Sequence, residues 1–164
     1  MSYTFQQIDY TNKNKFYQTL IEELQYHLDQ YWFTNLSQVS ALLFDHLPRI
    51  NWVGFYLYKD QELILGPYQG KPACMRIKLG RGVCGTSAEQ KKTIIVANVD
   101  EFPGHIACDS ASRSEIVVPL FLNDRLIGIL DVDSPELDRF DQSDADGLRL
   151  LTDVVLNKTD FTGI

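Results

Sequence analysis

The chain has little positive charge, few cysteines and no long apolar run. Its 15 Lys and Arg residues are outnumbered by 22 Asp and Glu residues, which leaves a net charge of −7. Proteins that bind nucleic acid normally present a basic face, and electrostatic attachment to a membrane also needs basic residues. No apolar stretch approaches the roughly 20 residues of a membrane span, and the first residues lack the pattern of a signal peptide. We therefore expect a cytoplasmic protein whose partners are neither nucleic acids nor membranes.

Cysteine is scarce, with only Cys74, Cys84 and Cys108 in the chain. A small and odd number of cysteines does not make a structural disulfide framework. The three also lack the C-x2-C spacing that most zinc sites contain. We therefore predict no metal and no cofactor, and each thiol is either an unreactive core residue or a redox group.

The 164 residues and the 45% apolar content predict a single domain over residues 1–164 with one sizeable core. Apolar residues recur at helical spacing over 14–28. A second helix is predicted over 37–47, with Ser37 as its N-terminal cap. The N-terminal third of the chain is thus predicted to be helical.

After these helices, the hydrophobic period changes to that of strands. The strand candidates are residues 51–59, 62–66, 73–79, 93–99, 115–122 and 125–133. Asn123 and Asp124 predict a tight turn between the last two strands. Further helices are predicted over 82–92 and over 140–156, the latter capped by Asp141. The result is an α+β fold with a roughly six-stranded antiparallel sheet flanked by helices, an order that resembles a GAF domain.

The strand 51–59 carries a candidate binding surface. Side chains alternate along a strand, so Trp52 and Tyr56 share one face, with a gap at Gly54 between them. Such a face has the shape of an aromatic wall beside a cavity. Ordinary core packing is the alternative interpretation, and periodicity alone favours it.

Two carboxylates lie on one face of the last strand. Asp131 and Asp133 are two residues apart and therefore point the same way. Like charges this close repel, so the pair needs water or a cationic partner. A solvated sheet face is one interpretation, and a pocket for an ammonium group or a metal ion is the other. A metal ion usually needs further oxygen ligands, and the sequence shows no such cluster nearby.

The residues alone do not rank the three thiols. Cys84 stands at a predicted helix start, which can lower the pKa of a thiol, and Cys74 has basic neighbours in sequence. Cys108 lies in the polar loop 104–115, where a thiolate is accessible to an electrophile. Glu115 ends this loop, and partial burial would raise its pKa far enough for it to donate a proton near neutral pH.

Five segments together resemble one enzyme family. NWVGFYLY, KPACMRI, GRGVCGTSAEQ, FPGHIACDSASRSEIVVPL and GILDVDS follow one another in this order. They closely resemble the GAF-domain free methionine-(R)-sulfoxide reductases from about Asn51 to the last helix, and the two N-terminal helices also fit. Generic GAF domains do not combine three cysteines in these settings with the HIACDSxSxSE loop.

The resemblance implies a role for each candidate residue. Cys108 resembles the catalytic cysteine that attacks the sulfoxide sulfur, Cys74 the main resolving cysteine and Cys84 a second cysteine able to take part in exchange. Glu115 would assist protonation of the sulfoxide oxygen. The implied substrate-binding residues are Trp52, Tyr56, Glu115, Asp131 and Asp133.

The implied partners are free methionine (R)-sulfoxide and thioredoxin or a similar dithiol reductant, and a homodimer is compatible with the fold. Two other functions use the same residues. A GAF sensory module would bind a small ligand without turnover. A thiol redox sensor would toggle Cys108 and Cys74 with no small-molecule substrate.

Overall fold

The computed structural model describes residues 8–106 and 109–162. Cys108, the predicted nucleophile, lies outside these described residues. The helices are α1 (Lys13–Leu24), α2 (Trp32–His46), α3 (Gly82–Gln90) and α4 (Gln142–Lys158). The strands are β1 (Trp52–Lys59), β2 (Glu62–Gln69), β3 (Arg76–Lys78), β4 (Ile94–Val96), β5 (Ser114–Leu122) and β6 (Arg125–Ser134). Short 3₁₀ turns occupy Gln25–His27 and Val99–Glu101.

The six strands form one sheet in the order β3-β2-β1-β6-β5-β4, and every neighbouring pair is antiparallel. This confirms the predicted α+β class and the six-stranded antiparallel sheet. Asn123 and Asp124 both have positive φ, as a tight hairpin turn requires, and they join β5 to β6 as predicted. The start of β5 and the end of β6 therefore lie beside the start of β1, where the candidate residues are found.

The two faces of the sheet bury different cores. Val53 and Phe55 pack with α1, α2 and α4 in the larger core, as the alternation of β1 predicted. Trp52 and Tyr56 lie on the opposite face, in a smaller core that includes α3. Helices pack on both faces of the sheet. A polar side chain that lies between the sheet and a helix therefore loses contact with water.

Helix α4 begins as the sequence predicted. The Asp141 side chain accepts from the backbone N–H groups of Ser143 and Asp144, and Asp144 completes a capping box. Asp144 is fully buried and also accepts from Tyr17 at 2.8 Å, with Lys13 at 2.5 Å. Helix α1 is thereby held against the start of α4.

The prediction for α2 was wrong at its N-terminus, because the helix begins at Trp32 and not after Ser37. Ser37 lies inside the helix and its hydroxyl donates to the carbonyl of Phe33 at 2.7 Å. Asn35 is buried in the added turn and bonds Asp29 and Thr159. These tertiary bonds extend the helix beyond its sequence signal.

Other predicted ranges also differ from the observed elements. The first helix ends at Leu24, four residues early, in a 3₁₀ turn. Strand β3 covers 76–78, since it pairs only with the first half of β2, and this leaves Cys74 in the preceding loop. Strand β4 covers 94–96, after which the Asn98 side chain accepts from the N–H of Asp100 and turns the chain into a 3₁₀ helix.

Among the described residues, none of the helices has both the length and the apolar character to cross a membrane. The prediction of a single domain over 1–164 stays a prediction.

Candidate active site

A cavity lies between α3 and the smaller-core face of the sheet. Trp52 and Tyr56 of β1, Cys84 of α3, Glu115 of β5, and Asp131 and Asp133 of β6 all line it. The structure thus brings six of the seven described candidate residues to one cavity. The seventh, Cys74, lies in the adjoining loop.

The aromatic wall is built as a stack of three rings. The ring of Trp52 stacks on Tyr56, with centroids 6.1 Å apart, and on Tyr68, with centroids 5.3 Å apart. Tyr68 faces Gly54 across the β1–β2 pair, and a Cβ on Gly54 would lie 2.2 Å from the Cβ of Tyr68. The gap at Gly54 is therefore filled by Tyr68 and the edge of Trp52, and it does not open into the cavity.

Sequence reasoning missed Tyr68 because it ended β2 at residue 66. The observed strand continues to Gln69. Pro67 stands in the strand and marks it as unusual, because proline is normally confined to strand edges and bulges. The register shift of the β1–β2 pair between Gly54 and Tyr56 accommodates this segment.

The wall is hydrogen-bonded to the loop that carries Cys74. Trp52 Nε1 donates to the carbonyl of Lys71 at 3.1 Å, and the Tyr56 hydroxyl donates to the carbonyl of Cys74 at 3.0 Å. Cys74 is half-buried and disulfide-bonded, whereas Cys84 is a free thiol. The hydrogen bonds of the aromatic rings thus position the disulfide-bonded Cys74 at the edge of the cavity.

The carboxylates meet because of the β5–β6 register. Glu115 pairs with Asp133, and Asp131 lies opposite Val117, two residues further along the same face. Glu115 is 5% exposed and Asp131 is 6% exposed. This excludes a solvated sheet face, which was one of the two interpretations of the Asp131–Asp133 pair.

Burial changes the acidity of this cluster. It raises the pKa of Glu115 well above the ordinary value, and the negative charges of Asp131 and Asp133 raise it further. Burial also raises the pKa of Asp131 to about 7 and that of Asp133 well above the usual range. A cavity of this kind favours either protons or a bound cation.

A helix start can lower the pKa of a thiol, but it does not do so for Cys84. Its thiol is 5% exposed and donates a hydrogen bond to Oε1 of Glu115 across 3.6 Å. Burial, together with the charges of Asp131 and Glu115, raises the pKa of the Cys84 thiol well above its usual value. Desolvation beside carboxylates outweighs the short helix dipole of α3.

Two further residues stand at the cavity. His105 Nε2 lies 3.8 Å from Oε2 of Glu115, and burial lowers the pKa of the imidazole. Asp109 lines the cavity as well and accepts from Asn51 Nδ2 at 3.1 Å and Lys71 Nζ at 3.2 Å. These bonds tie Asp109 to the residue before β1 and to the loop of Cys74. No distinct sequence signal singled out either residue.

The chain matches the model of the GAF domain over residues 34–156. A free methionine-R-sulfoxide reductase of Escherichia coli (strain K12) is 45% identical over 155 residues, which cover 92% of this chain and 94% of that protein.

Solved structures agree with this match. The free methionine-R-sulfoxide reductase of Neisseria meningitidis, in complex with its substrate, superposes with a TM-score of 0.87 at 41% identity, covering 92% of both chains. The reduced form of fRMsr of Staphylococcus aureus gives a TM-score of 0.80 at 46% identity and covers 96% of this chain and 99% of that one. The predicted GAF-like fold is therefore confirmed.

Proposed function

Since the chain belongs to the GAF-domain family of free methionine-R-sulfoxide reductases, we propose that it reduces free L-methionine (R)-sulfoxide to methionine by cysteine chemistry. The observation that carries this proposal is the juxtaposition of an aromatic wall with two buried carboxyl groups, Glu115 and Asp131, and the half-buried Asp133. A free amino acid with a methylsulfinyl end presents groups that match both surfaces.

The carboxylates select the substrate's α-ammonium group. Among the described residues, no Lys or Arg lies within ion-pair distance of Glu115, Asp131 or Asp133. Buried negative charges without a cationic partner are costly, so a bound ammonium group stabilises them. A methionine inside a peptide lacks that charge, and the cavity therefore discriminates against protein-bound substrate.

The aromatic rings receive the sulfur end. Sulfur packs well against aromatic groups, and each such contact contributes about 0.3–1.5 kcal/mol. Trp52 and Tyr56 are held by their hydrogen bonds to the backbone of the Cys74 loop. The wall is thus preorganised, and little side-chain entropy is lost when the substrate binds.

In the proposed reaction, the Cys108 thiolate attacks the sulfoxide sulfur. Glu115 donates a proton to the sulfoxide oxygen, because that oxygen leaves the substrate sulfur poorly while it is unprotonated. Methionine departs, and the oxygen remains on Cys108 as a sulfenic acid. The substrate is reduced by two electrons and the cysteine is oxidised by two.

Cys74 then condenses with the sulfenic acid to form a disulfide and release water. The disulfide-bonded state of Cys74 and the free state of Cys84 support Cys74 as the main resolving cysteine. Cys84 is the second cysteine able to take part in exchange. Thioredoxin or a similar dithiol reductant restores the thiols by thiol–disulfide exchange.

Thiol counting tests this function. The reduced protein is incubated with free methionine (R)-sulfoxide, and we expect two thiols per chain to disappear as one methionine is formed. Thioredoxin, its reductase and NADPH should then support continuous NADPH consumption. A Cys108→Ser variant that still forms methionine would overturn the assignment of the nucleophile.

The same assay separates the alternatives. Saturable sulfoxide binding with no loss of thiols would favour a sensory module. Oxidation by peroxide, but not by the sulfoxide, would favour a thiol redox sensor. The (S)-sulfoxide is the matched substrate control, and it should leave the thiols intact.

A further inference from the structure

We propose that the buried cluster of Cys84, Glu115 and Asp131 is a binding site for a zinc ion. This site goes beyond the reduction of a sulfoxide, although it occupies the same cavity. One thiol sulfur and two carboxylate oxygens, one ligand atom from each residue, all lie within 4.8 Å of one another. All three residues line the cavity and are about 95% buried.

The spacing of the donor atoms of Cys84 and Glu115 suits tetrahedral zinc. With Zn–S and Zn–O bonds of about 2.3 and 2.0 Å, a sulfur and an oxygen on one zinc ion lie roughly 3.5 Å apart. Cys84 Sγ lies 3.6 Å from Oε1 of Glu115. The ion therefore requires little movement of these two side chains.

An unpartnered oxygen marks the third ligand. Oδ1 of Asp131 is buried and has no hydrogen-bond partner among the described residues. A buried oxygen of this kind loses its hydration without compensation. Since Asp131 is 6% exposed and lines the cavity, a cation at the cluster supplies the missing interaction.

The ligand chemistry favours zinc over harder divalent cations. Magnesium and calcium bind through oxygen ligands in larger coordination shells. A thiolate with two carboxylates suits a borderline-soft ion that accepts four ligands. Binding replaces the thiol proton of Cys84, and any proton on the carboxyl groups of Glu115 and Asp131, by bonds to zinc. The protons are released to water, so no oxidant or reductant is needed.

The fold, not the sequence spacing, creates this cluster. Cys84 and Glu115 are 31 residues apart in the chain, and they meet because α3 packs on the β5–β6 hairpin. The absence of a C-x2-C motif, which argued against zinc in the sequence, has no bearing on a site assembled in this way. The three protein ligands leave a fourth position open to water.

The site has one functional consequence, which rests on the proposed function. Glu115 and Asp131 cannot hold a zinc ion and the substrate's ammonium group at once. We therefore expect zinc to inhibit the reductase competitively with methionine sulfoxide.

Cobalt(II) provides the direct test, because it binds as zinc does and reports a thiolate ligand by a sulfur-to-cobalt charge-transfer band. A Cys74→Ser/Cys108→Ser double variant retains Cys84 as its only cysteine. We expect this variant to develop the band on titration with cobalt(II), and zinc, but not magnesium, to abolish it. Absence of the band from the folded variant, as judged by circular dichroism, would overturn the proposal.

Two further variants, made in the same background, locate the ligands. Asp131→Asn should weaken cobalt binding by at least about 10-fold, as loss of a metal-site interaction does. Asp124→Asn, in the hairpin turn at the far end of β6, is the matched control and should bind as its parent does. Equal affinities in the two variants would overturn the assignment of Asp131.

Failure of this proposal is distinct from failure of the proposed function. The cobalt spectrum is recorded on a variant that lacks Cys74 and Cys108, so it requires no turnover. If the protein binds cobalt through Cys84 but leaves methionine sulfoxide unchanged, the metal site is supported and the proposed reductase function is wrong. If the reductase rate is the same in zinc and in EDTA, the proposal of an inhibitory zinc site is wrong.

Discussion

The thiol of Cys84 donates a hydrogen bond to Oε1 of Glu115 across 3.6 Å, in the buried part of the cavity. This bond by itself stabilises the carboxylate of Glu115. Burial and the charges of Asp131 and Asp133 nevertheless outweigh it and raise the pKa of Glu115. The cavity is therefore a place where protons and cations are retained, which is the property that both proposals use.

Replacing the proposed proton donor should slow the chemical step. We expect Glu115→Gln to lower kcat by about 10²- to 10⁴-fold, the usual contribution of a positioned acid, in a single-turnover measurement of methionine release. Its melting temperature should not fall, because glutamine has the shape of the buried protonated acid and carries no charge. Glu101→Gln, at an exposed position where the carboxylate accepts a hydrogen bond from Asn98, is the control and should retain the wild-type rate. A Glu115→Gln variant with normal turnover would contradict the assignment.

Lowering the pH should stabilise the folded state through Asp131, because this residue is protonated there more readily than in the unfolded chain. The pKa of this carboxyl is raised from 3.8 to about 7, so the folded state retains a proton that the unfolded state has released. Its contribution to stability is complete below pH 3.8 and is lost as the pH rises through about 7. The unfolding free energy of wild type, relative to that of Asp131→Asn, should therefore fall between these pH values.

Urea unfolding at a series of pH values, with EDTA present throughout, measures this difference. The EDTA removes any contribution of a bound metal ion. Comparison with the Asn variant cancels the opposite effects of exposed carboxylates such as Asp9 and Asp160, whose pKa values are lowered by hydrogen bonds. A difference that stays constant or rises with pH would count against the buried site.

Weakening the aromatic wall should reduce substrate affinity. Trp52→Phe removes both a larger ring from the Tyr56–Tyr68 stack and the hydrogen bond to Lys71. We expect KM to rise by about 2- to 13-fold, which corresponds to one or a few sulfur–aromatic contacts of 0.3–1.5 kcal/mol. Steady-state kinetics with the coupled thioredoxin assay measure it.

The chain offers a matched control in its other tryptophan, Trp32, which packs against the larger core on the opposite face of the sheet. Trp32→Phe should leave KM unchanged and make Trp52 the sole tryptophan fluorophore. Its fluorescence should then respond to the sulfoxide with the wild-type affinity. An unresponsive Trp52 would indicate that the substrate binds elsewhere.

Removing one acidic charge should reduce selectivity for the free amino acid. We expect Asp131→Asn to lower kcat/KM for free methionine sulfoxide by about 10- to 100-fold, the value of a charged hydrogen bond. The N-acetylated sulfoxide lacks the ammonium group and should be affected much less. The ratio of the two kcat/KM values is the measurement, with Asp124→Asn as control. An unchanged ratio would show that Asp131 does not bind the ammonium group.

Much of the fold follows from local sequence. The alternation of β1 places Trp52 and Tyr56 together, and the Asn123–Asp124 turn pairs β5 with β6. Asp141 caps α4 as its position suggests. The errors lie where tertiary contacts override local signals, as at Asn35 in α2, whose side chain bonds residues from two other segments.

The sequence by itself determined the elements, the shared face of Asp131 and Asp133, and the set of residues that resemble one enzyme family. Only the tertiary structure decided what surrounds them. Packing of α3 on the sheet buried Cys84 beside Glu115 and raised the pKa of its thiol, although its place at a helix start predicts the reverse. The position of a residue in a helix is a local property that the sequence indicates. The desolvation of its side chain depends on residues that are distant in the sequence and pack against it in the fold.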